Sequence, residues 1–330
     1  MMIVQLVLAS FISLAVTAIV GRFLIPTLRR LKAGQSIRED GPTWHNQKQG
    51  TPIMGGLMFI SGITVVCFTV GFTALRNGDF RHVFILVFAL IFAAIGFLDD
   101  YEKLKKKQNL GLRAKQKFAL QALVALGFVI FMRVTGNLNP SLYVPFVNIT
   151  WHIPEPIYYL FAIFVIVGTV NSVNITDGVD GLATGVTIPV AIWFVIIALS
   201  WSVASVGIFA AALVGGLIAF LFFNFHPAKV FMGDTGSLFL GGAVCAMAFA
   251  LDMPLILIPL GIVYFVETLS DLIQITYFKL TKGKRVFKMA PIHHHFEMLG
   301  WSEYKLFTVF TTVSAIFALI SYLGVMHRYA

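Results

Sequence analysis

Charge is what this chain has least of. Only 12% of its 330 residues are Asp, Glu, Lys or Arg, against 58% hydrophobic, and mean hydropathy is +0.87. Soluble globular domains carry about 25% charged residues, so a soluble fold is excluded and an integral membrane protein is indicated. Cysteine is scarcer still. Cys67 and Cys245 both fall inside apolar runs, where a thiol is a small buried hydrophobe, so neither a disulfide nor a metal–thiolate site is expected. Acid is short too: 15 Asp and Glu against 24 Lys and Arg give a net charge of +9. No basic residue precedes the first apolar run, which is also too long for the core of a signal peptide, so it reads as a retained span. The short alternating segments of a membrane β-barrel are missing as well.

What is present is about ten apolar runs, each near the 20 residues that cross a bilayer as a helix. They lie roughly at 2–24, 53–75, 82–98, 117–134, 157–173, 181–200, 203–223, 237–252, 254–278 and 304–326. The expected fold is all-α: a polytopic membrane protein forming one transmembrane domain over 1–330. Basic residues crowd one set of loops, at Arg29 to Lys48, Lys103 to Lys117 and Lys279 to Lys288, and are sparse in the other set. The positive-inside bias then puts both termini outside and accounts for most of the charge, so nucleic acid is not a partner. Residues 135–156, with alternating residues, prolines and turn formers, predict a small hairpin on the outer face.

The acids sit at the edges of the runs. Asp99 and Asp100 end the third run in FLDDYEK, where a helix C-terminus already disfavours a carboxylate by roughly 0.3–1 kcal/mol. Lys103, Lys105, Lys106 and Lys107 either offset them as an ordinary membrane anchor, or leave them to meet a divalent metal and a phosphorylated substrate. The loop NSVNITDGVDGLA carries Asn171, Asn174, Asp177 and Asp180 with no Lys or Arg. Its Asp-Gly pairs suit N-caps, yet uncompensated acids beside a membrane call for a cation. FNFHPAKVFMGDTGS offers Asp234 as an N-cap or as part of a phosphate-binding helix start. Glu267 and Asp271 share one face of the ninth run and should face protein, a cavity or a partner. His293, His294 and His295 are consecutive and cannot all point one way, so they suit contacts to phosphate or sugar better than a three-histidine zinc site.

With GTPIMGG, FLDDYEK, NSVNITDGVDGLA, FNFHPAKVFMGDTGS and PIHHHFEMLGW in order, the chain resembles the phospho-N-acetylmuramoyl-pentapeptide transferase family of polyprenyl-phosphate N-acetylhexosamine-1-phosphate transferases. The resemblance implies transfer of phospho-MurNAc-pentapeptide from UDP-MurNAc-pentapeptide to undecaprenyl phosphate, with Mg²⁺ and release of UMP, at the cytoplasmic face of a bacterial plasma membrane. It implies a metal ligand in Asp234 and catalytic roles for Asp99, Asp100, Asp234 and His294. Phe231 would stack on uracil beside Lys48, Asp180 and Asn224. Asn174, Asp177, Gly178, Gln274, His293 and His295 would complete the nucleotide-sugar site, with Lys107 and Lys115 near the phosphates. Two departures, Ile53 where Thr is usual and Trp44 where Ser is usual, bear on a hydroxyl contact near the sugar. GlcNAc-1-phosphate transferases are the neighbouring substrate class, and a homodimer is an open assembly. A secondary transporter would gather its polar groups near the midplane, whereas here, apart from Glu267 and Asp271, they sit at span ends.

Overall fold

The computed structural model describes residues 2–31, 48–106, 110–136 and 138–328. In chain order the elements are α1 (Met2–Arg30), α2 (Gly56–Phe68), α3 (Phe72–Arg76), α4 (Arg81–Lys106), α5 (Ala114–Val134), β1 (Ser141–Val144), β2 (Ile149–His152), α6 (Glu155–Thr176), α7 (Leu182–Ser200), α8 (Ala204–Asn224), α9 (Gly233–Ala250), α10 (Leu257–Leu260), α11 (Ile262–Leu280), α12 (Ile292–Glu297) and α13 (Glu303–Leu323). Among the described residues nine helical stretches are long and apolar enough to cross a membrane. A tenth, Pro254–Leu260 with Ile262–Leu280, is bent by 81° at Gly261. The all-α polytopic expectation is borne out, and the ninth run is a sharply bent helix pair rather than one straight helix. Helices are the only open-ended element that satisfies its own backbone in lipid, which is why so apolar a sequence folds this way.

The expected hairpin is the two-stranded antiparallel sheet β1–β2, with Ser141 opposite His152 and Val144 opposite Ile149. Phe146 and Asn148 turn it with positive φ. The hairpin shares one face with the chain ends: Phe146 N–H donates to the Gly324 carbonyl at 2.8 Å, and Gln5 reaches Thr73 of α3.

Burial sorts the helices into inner and outer. In α9 every residue from Thr235 to Phe249 is buried. In α1 only the stripe Leu6, Ala9, Ser13, Thr17, Gly21, Ile25 and Leu28 is, and Phe11 and Phe23 on the other side are 66% and 69% exposed. That spacing of three and four leaves the opposite face for lipid. The principal packing is α4 on α9 and α1 on α8. With no hydrophobic drive between helices in lipid, such pairs rely on close approach at small residues. Gly96 of α4 shows this: a Cβ there would fall on the Asp234 carbonyl at the start of α9.

Gly96→Ala should therefore push α4 and α9 apart and destabilise the protein by about 1–3 kcal/mol. Gly127→Ala, on α5 with nothing within 4 Å of the added carbon, should leave the melting temperature in detergent unchanged or slightly raised. Equal melting temperatures for the two variants would contradict this packing.

Candidate active site

The C-terminal turns of α4 deliver Asp99 and Asp100, 3% and 1% exposed, against the N-terminus of α9. A helix start leaves its first N–H groups without partners, and Asp100 supplies them from another helix. Its Oδ1 accepts from Asp234 N–H at 3.1 Å, and its Oδ2 accepts from Thr235 N–H at 2.9 Å and the Thr235 hydroxyl at 2.7 Å. Sequence reasoning offered Asp234 as the N-cap. The structure instead has Met232 at the cap position and Asp234 in the first turn, with Asp100 as the capping carboxylate. The cation that Asp100 calls for is thus the positive end of α9.

Asp99 turns the other way. Its Oδ1 accepts from Leu112 N–H at 2.9 Å and its Oδ2 lies 2.6 Å from Lys103 Nζ, one helical turn on. Lys103 also reaches Asp234 Oδ2 at 2.7 Å, and Lys117 at the start of α5 reaches the same oxygen at 3.0 Å. Asn174, in the last turn of α6, donates to Asp234 Oδ1 at 2.6 Å and to Ser237 Oγ at 2.8 Å. Four helices thus converge on Asp234. One oxygen from each of Asp99, Asp100 and Asp234 falls within 4.8 Å of the other two, a set of hard oxygen donors that fits a divalent cation such as Mg²⁺. Both Asp100 oxygens are engaged by the start of α9, whereas Asp99 Oδ2 and Asp234 Oδ2 are held by lysine side chains that a cation can displace, so Asp234 and Asp99 are the carboxylates suited to hold it.

Asp177, at the C-terminal cap of α6, joins the acidic crowd. Burial, with Asp234, Asp100 and Asp180 nearby, holds its carboxyl well above the usual carboxylate range, and Lys103 only partly offsets this. Beside Lys117 a cavity of about 470 Å³ opens between α5 and α6, lined by Ala114, Lys115, Lys117, Phe118 and Asn171.

A second group adjoins the first. Lys48 Nζ bridges Asp180 Oδ1 and Glu303 Oε2, each at 2.7 Å. Asp180 Oδ2 accepts from Ala228 N–H and lies 2.9 Å from His226 Nδ1. Asn224 is buried, donating to the Val230 carbonyl at 3.0 Å and accepting from Thr184 at 2.9 Å. It thereby shapes the loop that ends at half-buried Phe231, whose backbone is pinned to Pro52 and Gly55.

The histidine run divides as its spacing requires. His293 Nδ1 meets Glu267 Oε2 at 2.8 Å, His294 Nδ1 meets Glu297 Oε2 at 2.6 Å, and His295 Nδ1 accepts from Lys288 N–H at 3.0 Å. His293 and Glu267 are both fully buried, so the buried acid of α11 has its partner. A Cβ at Gly178 would fall on His293 Nε2, which is why the 177–178 turn can lie directly on the imidazole. Gln274 is a clamp: its amide accepts from Val286 and Phe287 N–H and donates to the Phe287 carbonyl.

The sequence that builds this site has known counterparts. Residues 82–252 match the family model for glycosyl transferase family 4. Over 317 residues the chain is 45% identical to a phospho-N-acetylmuramoyl-pentapeptide-transferase of Clostridium acetobutylicum, covering 96% of this chain and 97% of that one. The corresponding protein of Heliobacterium modesticaldum is 49% identical over 98% of this chain and 97% of its own. That of Staphylococcus saprophyticus is 46% identical over 95% and 97%. The chain belongs to the phospho-N-acetylmuramoyl-pentapeptide-transferase family.

It is accordingly a membrane-embedded transferase. Within this family member, Asp99, Asp100, Asp234, Asn174 and Asp177 form one cluster, and Gly178 links it to His293. Lys48, Asp180, Asn224 and Phe231 form the neighbouring group. His294 and His295 sit on α12 beside it. Lys115 is exposed, at the mouth of the α5–α6 cavity, while Lys107 and Trp44 lie outside the described residues. Ile53 is buried at 7% exposure. Sequence reading missed Lys117, Ser237, His226 and Glu303, and left Lys103 open between a membrane anchor and a neighbour of a metal and phosphate site. The spacing of Lys103 one turn after Asp99 was the available signal for it.

Asp177 carries a pH signature. Its folded pKa lies above the ordinary value of ~3.9, so its contribution to stability is complete below that value and is lost as pH rises through the folded pKa. With a chelator present, Asp177→Asn should melt higher than the parent at pH 8 and the gap should close on acidification to pH 5. A gap that does not change with pH would mean Asp177 is not held protonated.

Proposed function

We propose that the chain transfers phospho-MurNAc-pentapeptide from UDP-MurNAc-pentapeptide to undecaprenyl phosphate, giving lipid I and UMP for peptidoglycan synthesis. The observation that carries this reading is the convergence of three aspartates and two lysines at the ends of apolar helices, where a water-soluble diphosphate and a lipid phosphate can meet. It acts as one catalytic domain in the bacterial plasma membrane with the acid cluster facing the cytoplasm, where nucleotide sugars are made. A homodimer is compatible with it.

The chemistry is displacement at the β-phosphorus: an acceptor phosphate oxygen forms the new P–O bond, and the bond to the α-phosphate oxygen breaks to release UMP. A phosphate monoester has its second pKa near 6, so at neutral pH the acceptor is mostly dianionic and positioning matters more than a general base. Mg²⁺ held by Asp234 with Asp99 would neutralise charge on the diphosphate. Lys103 and Lys117, already converged on Asp234, supply further positive charge to the phosphates. Asp99 Oδ2, paired with Lys103, is the carboxylate atom suited to take the acceptor's last proton. Asp100 acts by fixing the start of α9. Lys48, Asp180, Asn224 and Phe231 bind the nucleoside, and Asn174, Asp177, Gly178, Gln274 and the histidine loop bind or frame the sugar phosphate, with His294 at the reacting end. Lys115 and Lys107 serve the phosphates from the rim. The α5–α6 cavity beside Lys117 is the acceptor's approach.

Purified protein given UDP-MurNAc-pentapeptide, polyprenyl phosphate and Mg²⁺ should release UMP. Asp234→Asn should insert and purify normally yet lose at least about a hundredfold in turnover; near-parental rates at saturating Mg²⁺ would remove Asp234 from the role of metal ligand. UMP release with a UDP-GlcNAc donor and none with the muramoyl donor would instead favour the GlcNAc-1-phosphate class.

Orientation is tested separately. Single cysteines near Gly178 and near His294, in a background lacking Cys67 and Cys245, should resist a membrane-impermeant thiol reagent in intact cells and react in inverted vesicles. Labelling in intact cells would reverse the topology.

A further inference from the structure

A cavity larger than the one beside Lys117 lies away from the acid cluster. It lies at the opposite face, has a volume of about 1080 Å³, and is bounded by the loops after α3, α5, α7 and α9. Its walls change character with depth. Phe84 of α4, Phe128 of α5 and Phe249 of α9 line the part within the spans, while Arg81, Trp201 and Asp252 line the part at the loops. The aromatic floor is continuous, with Phe128 6.0 Å from Phe249 between ring centroids. An apolar floor under a charged rim, at a membrane face, is the polarity profile of an amphiphile.

The rim charges narrow the class. Asp252 has φ +53, a left-handed conformation uncommon outside glycine. That conformation is held from behind: Arg328 donates to the Leu251 and Asp252 carbonyls at 3.0 and 3.1 Å, with its guanidinium over the rings of Tyr143 and Trp201. The Asp252 carboxyl is half-buried, and no described residue donates a hydrogen bond to it. Burial pushes it up while the Arg328 and Arg81 guanidiniums draw it back. A partly desolvated carboxylate without a protein donor is disfavoured, and a ligand N–H group would relieve that cost. Arg81 is the complementary charge. Its side chain is half exposed and touches Asp79 only at 3.7 Å, while Asp79 is otherwise occupied by Ser205 at 2.6 Å. Arg81 is thus left to meet an anion, and guanidinium suits phosphate.

We infer that this cavity binds an aminophospholipid, its ammonium on Asp252, its phosphate on Arg81 and its upper acyl chains on the Phe84, Phe128 and Phe249 floor. The site is independent of the transferase reading. A choline headgroup carries the same charge but no N–H to give Asp252, and a glycerol headgroup carries no cation, so the carboxylate is what discriminates among lipids.

The test uses the full chain, delipidated in detergent and titrated with dioleoyl phosphatidylethanolamine, phosphatidylcholine and phosphatidylglycerol by native mass spectrometry, with soluble glycerophosphoethanolamine as a fourth ligand. Phosphatidylethanolamine should bind about tenfold more tightly than the other two, the scale of one charge-assisted hydrogen bond, and the soluble headgroup far more weakly than the lipid. Asp252→Asn should abolish the preference while UMP release in detergent is retained. Arg81→Gln should weaken all three lipids alike, and it carries the test alone if Asp252→Asn does not purify. Equal affinity for the three lipids, a preference that survives Asp252→Asn, lipid binding indifferent to Arg81→Gln, or headgroup binding as tight as the lipid would each overturn the proposal.

Discussion

The carboxylate of Asp100 set on the N-terminus of α9 is the contact on which the rest of the site depends. A side chain that ends one membrane helix satisfies the open donors that begin another, so α4 and α9 are locked both along their packed length and at their tips. Hydrogen bonds to an ionised acceptor are roughly twice as strong as neutral ones, and here they are made where water is scarce. Everything that converges on Asp234 is measured from that joint: Asn174 from α6, Lys103 from α4 itself and Lys117 from α5. The adjacent Asp99 is then free to face the lysines. Two neighbouring residues of one type do two jobs because successive positions on a helix point about 100° apart.

Much of this was legible in the chain. Among the described residues the ten apolar runs became nine candidate spans and one bent helix pair, and the turn-rich stretch after the fourth gave the hairpin. The acids stood out because a carboxylate at a membrane edge demands a partner. What sequence could not supply was the identity of each partner. Asp99 and Asp100 read alike until α9 separated them. Lys103 stayed open to an anchor role because a lysine after a span usually is one. Glu303 and His226 carried no local signal, since their relation to Lys48 and Asp180 is made only by folding. The 81° bend at Gly261 was hidden for a related reason: apolar composition records length, not direction. Gln274 shows the opposite error of scale, for a polar residue within a span is as readily spent on holding a loop as on a substrate.

The two faces of the molecule use charge differently. At the acid cluster, lysines and carboxylates are interleaved, so each ion is held by others and the cluster can exchange partners without leaving a bare charge behind. On the opposite face the ions are few, and several are engaged by backbone or aromatic rings, as Arg328 is. The buried pair of Glu267 and His293 lies between these regimes. It is a single buried carboxylate–imidazole contact inside protein, next to a turn made possible by the missing side chain of Gly178.

The cavity beside Lys117 lies between two helices rather than above them, and Phe118 on its wall is 60% exposed on a span. A reactant that arrives by that route moves in two dimensions. Its effective concentration is then a mole fraction in the surrounding lipid, not an amount per litre. Diluting the bilayer or micelle with inert amphiphile would slow the encounter even when the quantity of both partners in the tube is unchanged, while the water-soluble partner would notice nothing. One reaction would thus obey two separate measures of concentration, set by which side of a single helix pair each reactant approaches.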